Sequence, residues 1–438
     1  MNIVLLSGGS GKRLWPLSND VRSKQFLRIF EEEDGIRSSM AQRVFNALKK
    51  AAPEAKITVA APKNQLSILN NQLDGNVSIS KEPTRRDTFP AIALASFYLR
   101  DRMKVREEDV AIFLPVDPYV KPDFFTAVKR LGELAANDDY NIMLMGIAPI
   151  HPTSKYGYIF PEDSKEVSKV KFFREKPDEK TAAEYIKNGA LWNSGVFAMK
   201  LSYITEKSRE ILGVGSYSEL YDNYEKAEAV SFDYAVVEKE KSIGVLRYKG
   251  EWKDLGTWNT LTEVMNESIG DVTLAEDTKN VHAINELDVP LLVKGIENAV
   301  VVASANGILV ADKKTSGYIK PYVEKLPQEV RYTEKSWGDF KILDIGKDSL
   351  TIKVVLNPGH SMHYHRHRYR DEVWTVTEGE GIATINGKRR EVSAGDIMEI
   401  PRKTPHKIEA KTQLSVIEVQ LGKDITVEDK EKLHTGAQ

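Results

Sequence analysis

The sequence predicts an α/β protein whose N-terminal domain is built on a largely parallel sheet and is followed by two β-rich regions. Three observations carry this. Short apolar runs alternate with helical patterns over residues 1–265. Helical periodicity is missing from 266 to 325, where short β-rich pieces dominate. In the stretch 326–438, strands up to about 422 are punctuated by Gly and Pro, and five of the eight histidines fall between His360 and His406. A chain of 438 residues exceeds one typical domain, so these three stretches are the expected domains.

The runs Ile3 to Leu6, Ile57 to Ala61, Val110 to Leu114 and Ile142 to Ile147 suit strands buried on both faces. Helical patterns separate them at Met40 to Lys50, Thr88 to Met103 and Phe124 to Ala136. More follow at Asp178 to Asn188, Ser202 to Leu212 and Thr257 to Val264. This alternation argues for parallel strands with helical crossovers. The next region offers Val281 to Ile284, Val289 to Val293, Ala299 to Ala303 and Gly307 to Ala311 as strands. In the last region Asn386-Gly387 between two strand patterns is a hairpin signal, and a small antiparallel barrel is the expected form. The charged tail after Gly422 is expected to fray.

The net charge of −2 gives no overall pull toward nucleic acid or anionic membrane. Cysteine is absent, which excludes disulfides, thiolate metal sites and cysteine nucleophiles. No apolar run reaches the length of a membrane span, and the first residues lack the basic start of a signal peptide. A cytoplasmic enzyme is the expectation.

Ser7-Gly8-Gly9-Ser10-Gly11-Lys12-Arg13 directly follows the first apolar run. Glycines let backbone N–H groups approach and cradle an anion, and Lys12, Arg13 and Lys24 supply cations. A P-loop would need Gly where Leu6 stands and Ser or Thr where Arg13 stands. A dinucleotide fingerprint would need Gly where Leu14 stands. Asp117 ends a buried strand pattern, where α/β sheets place ligands, and Asp254 lies in Trp252-Lys-Asp-Leu-Gly-Thr-Trp258. Alone, each reads equally as a turn residue or a helix cap.

The segment Leu6 to Ser18, with Ser23-Lys24-Gln25-Phe26, resembles the signature of sugar-phosphate nucleotidyltransferases, and more narrowly the mannose-1-phosphate guanylyltransferase branch. Lys12 and Ser23 depart from the usual Thr and Pro. The resemblance implies a Rossmann-like nucleotidyltransferase domain, a small domain like a left-handed β-helix, and a barrel. It implies nucleotide binding by Ser7, Gly8, Gly9, Gly11, Glu82, Arg85 and Thr88, and a triphosphate neutralised by Arg13 and Lys24. It places Mg²⁺ on Asp117 and Asp254, although Pro118 replaces the usual His. It assigns sugar binding to Gly157, Glu175 and Asn193, and the sugar phosphate to Lys176. Glu82 lies in Glu-Pro-Thr-Arg-Arg-Asp87-Thr, with Asp87 replacing Asn; its acceptor-only carboxylate suits the adjacent N1–H and N2 donors of guanine. The implied substrates are GTP and mannose 1-phosphate, and the expected assembly is a homo-oligomer, a dimer. A different sugar 1-phosphate or NTP, or a non-catalytic sugar-sensing module, are the competing readings.

Gly359-x5-His365-x-His367-x4-Glu372-x6-Gly379 matches the first cupin motif in spacing. Gly395-x5-Pro401-x-Lys403-x2-His406 resembles the second, with Lys403 at the usual Gly. His365, His367, Glu372 and His406 would form one metal site, suited to Zn²⁺ or another divalent transition metal. The segment Pro358 to Trp374 resembles type II mannose-6-phosphate isomerase. His365 stands at the usual Gln, and the family's closing Arg is missing, which separates the expectation of metal binding from that of isomerase activity.

Overall fold

The computed structural model describes residues 1–9, 12–32, 34–73, 75, 77–327, 329–423, 425–426 and 429–433. The chain divides into two compact units. One comprises Met1–Ser10, Ser23–Leu66 and Asn76–Val264; the other comprises Gly11–Arg22, Ser67–Gly75 and Met265–Gln438.

A nine-stranded sheet forms the first unit. Its order is Ser78–Glu82, Lys56–Pro62, Asn2–Leu6, Val110–Pro115, Leu191–Lys200, Ile142–Ile147, Ile243–Tyr248, Val167–Arg174 and Tyr158–Pro161. The first four strands run parallel, as the alternating pattern predicts. Beyond them the sheet is mixed, not largely parallel. Leu191–Lys200 lies antiparallel between Val110–Pro115 and Ile142–Ile147, and Val167–Arg174 is antiparallel to both of its neighbours. The cause is chain direction: Tyr158–Pro161 and Val167–Arg174 are joined by a short turn, without the helical crossover that a parallel pair requires.

The helix Thr88–Asp101 has Phe89, Ile92, Ala93, Leu94, Phe97 and Leu99 buried on every side. A helix apolar all round belongs inside. It packs against the strands Asn2–Leu6 and Lys56–Pro62 and against the helices Leu201–Leu212 and Tyr217–Asp222. Helix starts follow local chemistry. Ser39 and Gln42 form a capping box on Met40–Ala51, and Pro122 opens Pro122–Ala135.

In the second unit, Val272–Leu274 pairs in parallel with Leu291–Val293, and His282–Asn285 with Ala299–Ser304. Gly307–Asp312 then pairs back antiparallel. A helical turn, Lys320–Val323, follows where no helix was expected. Two sheets form the remainder. One runs Tyr332–Lys335, Gly338–Ile345, Ser349–Leu356, Leu414–Gly422, Arg370–Glu378 and Ile397–Ile400. The other runs Lys388–Ser393, Glu380–Ile385, His406–Ala410, His365–His367 and Lys430–Lys432. Between them lies a core that includes Val354, Leu356, Trp374, Met398, Ile408 and Leu414. The hairpin at Asn386-Gly387 forms as read, with both residues at positive φ (48° and 77°). The tail departs from expectation: Lys430–Lys432 is a strand paired with His365–His367, and Arg366 fixes it through Glu431 at 2.9 and 3.1 Å. Among the described residues no helix is long and apolar enough to cross a membrane.

Candidate functional site

Three clusters of the predicted residues assemble in the first unit. Asp117 follows the strand Val110–Pro115, and Asp254 ends the strand Trp252–Asp254. The short antiparallel ladder that sets Asp254 opposite Pro118 brings the two carboxylates together, so Pro118 in place of His does not break this geometry. Lys24 Nζ lies 2.8 Å from Asp117 Oδ2 and 3.0 Å from Asp254 Oδ1. Burial works against the Lys24 charge, but the two carboxylates outweigh it and raise its pKa. Two hard carboxylates converging on one cation fit Mg²⁺. The cation they share here is the Lys24 ammonium, so Lys24, expected at the triphosphate, is placed on the two carboxylates expected to hold the metal.

The residues expected to bind sugar meet around Gly157. A Cβ there would lie 2.4 Å from the Phe173 ring and 2.6 Å from Glu175 Oε2, so only glycine fits. Lys176 Nζ sits 2.8 Å from Glu175 Oε1, and Lys176 itself has φ of 43°. Asn193 N–H donates to Gly157 O at 2.8 Å. Its side chain is oriented on both ends: Oδ1 accepts from Gly195 N–H at 3.2 Å, and Nδ2 donates to Asp233 Oδ1 at 2.7 Å. Burial pushes the Glu175 carboxyl up, and burial followed by the Glu175 charge pushes Asp233 up to about 7. Tyr156 links this cluster to the carboxylates. Its ring packs edge-on against Trp192 and Trp252, 5.0 and 5.3 Å between centroids, and its hydroxyl pKa is raised by burial and then by Asp254.

Glu82 ends the strand Ser78–Glu82 and is 6% exposed. Its Oε2 accepts from Tyr224 OH at 3.0 Å, so one of the two oxygens expected to read guanine is already engaged. Burial raises its pKa to about 7 against the opposing effects of Tyr224 and Arg85. Thr88 begins the buried helix and accepts from Phe232 N–H at 2.8 Å. Asp87, at the usual Asn, takes φ of 66° and caps that helix.

Gly8 and Gly9 are exposed with open space where a Cβ would stand. Gly11 lies outside the described residues. Ser7 turns its side chain inward, and its N–H donates to Ala60 O at 2.9 Å. It is buried, its hydroxyl donating to Gln65 at 3.2 Å and accepting from Gln25 at 3.1 Å. Gln65 in turn donates to Ser23 Oγ, which donates to Gly9 O at 3.0 Å. Ser7 and Ser23 thus hold the glycine loop in place. Arg13 belongs to the second unit and is exposed on the turn Lys12–Leu14.

The fourth cluster lies in the barrel. His365 and His367 alternate on one strand and so share a face. His406 is register partner to His365. Candidate ligand atoms of the three lie within 4.8 Å of one another, all buried. Each Nδ1 meets a backbone carbonyl: His365 that of His363 at 2.7 Å, His367 that of Asp429 at 3.2 Å, and His406 that of Thr404 at 2.8 Å. Such contacts favour Nδ1–H and turn the Nε2 atoms toward one another, that of His367 accepting from Arg370 Nη2 at 3.2 Å. His406 Nε2 is buried without a hydrogen bond, and burial holds His365 neutral by lowering its pKa to about 2. Glu372, from the facing sheet, lies 3.1 Å from His367 Nε2 and 3.2 Å from His406 Nε2. A divalent transition metal fits this donor set. A cavity of about 690 Å³ opens beside it, lined by His365, Arg370, Glu418, Lys430 and Lys335 among others.

Comparison with known proteins places both parts. The nucleotidyl transferase family model matches residues 2–269. The chain belongs to the nucleotidyl transferase family. The cupin domain model matches residues 352–419. The relatives include a mannose-1-phosphate guanylyltransferase of Salmonella typhimurium, 30% identical over 96% of this chain and 94% of that protein. Another, from Escherichia coli O157:H7, is 29% identical over 98% and 97%. A crystal structure described as mannose-1-phosphate geranyltransferase from Thermus thermophilus superposes with a TM-score of 0.62 at 25% identity, over 74% of this chain and 98% of that one. Sequence reasoning missed one residue of the cluster around Gly157, the Asp233 that accepts from Asn193. Asp233 sits in Ser231-Phe-Asp-Tyr-Ala235, a one-turn helix without a strong pattern. The only signal was a lone acid between aromatics.

Proposed function

We propose that this chain is a mannose-1-phosphate guanylyltransferase. It transfers GMP from GTP to mannose 1-phosphate, giving GDP-mannose and pyrophosphate. The observation that carries the reading is the convergence of Lys24, Asp117 and Asp254, with the Gly157–Glu175–Asn193 pocket linked to it through Tyr156. A phosphate oxygen of the sugar attacks the α-phosphorus of GTP. That P–O bond forms as the α–β bond breaks, and pyrophosphate leaves. The attacking phosphate is already anionic, so no general base is needed. Lys176 holds the sugar phosphate, Glu175 and Asn193 orient the sugar, and Arg13 meets the triphosphate. Asp117 and Asp254 would hold Mg²⁺, which when bound neutralises charge on the reacting phosphates. Glu82 reads guanine through Oε1, and Gly8 and Gly9 cradle phosphate.

The barrel is read as a separate site in which His365, His367, His406 and Glu372 hold Zn²⁺ or a related divalent ion; isomerisation of mannose 6-phosphate is the reaction its resemblance indicates. The division into 1–265, 266–325 and 326–438, a left-handed coil in the middle part, a cytoplasmic location and a homodimer belong to the same reading. The test is pyrophosphate release from GTP and mannose 1-phosphate. Release that requires both substrates and Mg²⁺ supports the reading, and its absence under all conditions with folded protein rejects it.

A further inference from the structure

The segment carrying Arg13 owes its shape to residues far downstream. Within the second unit, Arg22 closes the segment with two parallel hydrogen bonds to Glu286, both 2.9 Å, and its guanidinium lies 5.1 Å from the centre of the Tyr332 ring. Such a fork fixes orientation as well as distance. Pro16 O accepts from Ser304 Oγ and from Asn306 Nδ2, both at 3.3 Å. Asn306 is itself held, its Oδ1 accepting from Arg331 N–H at 2.8 Å. The Trp15 ring covers Gly307 so closely that a Cβ there would lie 2.4 Å from it. Local bonds complete the turn: Asn19 Oδ1 accepts from the N–H groups of Val21 and Arg22. Leu14 is buried while the neighbouring Arg13 is exposed. One turn of 3-10 helix has too few internal bonds to hold a charged side chain in one direction. Anchors at Trp15, Pro16 and Arg22 supply what the turn lacks.

The geometry points to residues 286–307 as a clamp on this segment, with Glu286 and Asn306 acting as positioning residues for nucleotidyl transfer through Arg13. This rests on the reading of Arg13 as a triphosphate contact. A cation pre-set before GTP arrives binds more tightly than one ordered on binding. Neither Glu286 nor Asn306 is a catalytic residue, and both lie in a stretch whose β pattern alone suggests only packing.

Three single variants test it: Glu286→Gln, Asn306→Ala and Gly307→Ala, the last moving Trp15 without touching a charge. Each is expected to raise KM for GTP by about tenfold while KM for mannose 1-phosphate stays within about twofold. Adding Glu286→Gln to Arg13→Ala should cost nothing beyond Arg13→Ala alone, which a merely structural role would not produce. Unchanged KM for GTP in all three variants overturns the clamp, as does full additivity with Arg13→Ala. Hydrogen exchange over residues 12–22 separates this from a failure of the functional reading. Unchanged exchange in Glu286→Gln overturns the clamp whether or not the enzyme turns over. Faster exchange in that variant, with a wild type that releases no pyrophosphate from any nucleotide, overturns the reaction on which the clamp's purpose depends.

Discussion

Glu82→Gln should remove a pH dependence of base choice. Burial raises the Glu82 carboxyl from 4.5 to about 7, so it titrates near neutral pH. Guanine needs an acceptor for its N1–H and N2 donors, and only the ionised carboxylate is acceptor-only. About a tenth of Glu82 is ionised at pH 6 and about nine-tenths at pH 8, so acceptor strength should grow about tenfold across that interval. Asp233 titrates in the same interval, and so would affect any single rate. The readout is therefore the ratio of kcat/KM for GTP to that for ATP, in which sugar-pocket effects cancel. The wild-type ratio should rise about tenfold from pH 6 to pH 8, and the Gln variant should be flat and lower. Stability gives a second readout. A carboxyl raised on folding contributes stability fully below its unfolded pKa, and that contribution is lost as pH rises through the folded value, here between 4.5 and about 7. The loss is roughly 3 kcal/mol, so the Gln variant should gain on wild type above pH 7 and not at pH 4. A GTP/ATP ratio that is flat in the wild type, or that rises equally in the variant, refutes the assignment.

Other outcomes follow from the same geometry. Asp117→Asn and Asp254→Asn should each lower kcat by at least about a hundredfold, measured by pyrophosphate release, because each removes charge from the carboxylate pair proposed to hold Mg²⁺. Asp233→Asn should raise KM for mannose 1-phosphate by about tenfold or more with KM for GTP unchanged, since it alters the partner that orients Asn193. Gly157→Ala should weaken sugar binding and lower the melting temperature, because its Cβ would stand 2.4 Å from Phe173. His365→Ala with His367→Ala should release the barrel metal, measured by elemental analysis, while nucleotidyl transfer stays within about twofold.

Much of this site was legible because its residues sit at the ends of strongly patterned elements. Asp117 follows a buried strand, and Glu82 ends another. The histidine spacing was informative because strands repeat every second residue, which puts His365 and His367 on one face. Departures from family pattern proved tolerable where the backbone carries the feature. Lys403, at the usual Gly, adopts φ of 68°, and Pro118 still pairs with Asp254. What stayed hidden depended on distant partners. The antiparallel placement of Leu191–Lys200 cannot be read from its apolar pattern, because a strand buried on both faces looks alike in either direction. The tail looked too charged to order, yet Asp429 accepts from the N–H groups of Arg368 and Tyr369, and Glu431 pairs with Arg366. Asp233 and Glu286 lie in segments with no periodic signal, and their partners Asn193 and Arg22 stand 40 and 264 residues away.

The measurement that tests the central claim most directly is a matrix of nucleoside triphosphates against sugar 1-phosphates, read by pyrophosphate release with Mg²⁺ present. The account predicts that GTP with mannose 1-phosphate gives the highest kcat/KM, and that GDP-mannose is the product. A higher value for another pair, or no release from any pair by folded protein, would contradict it.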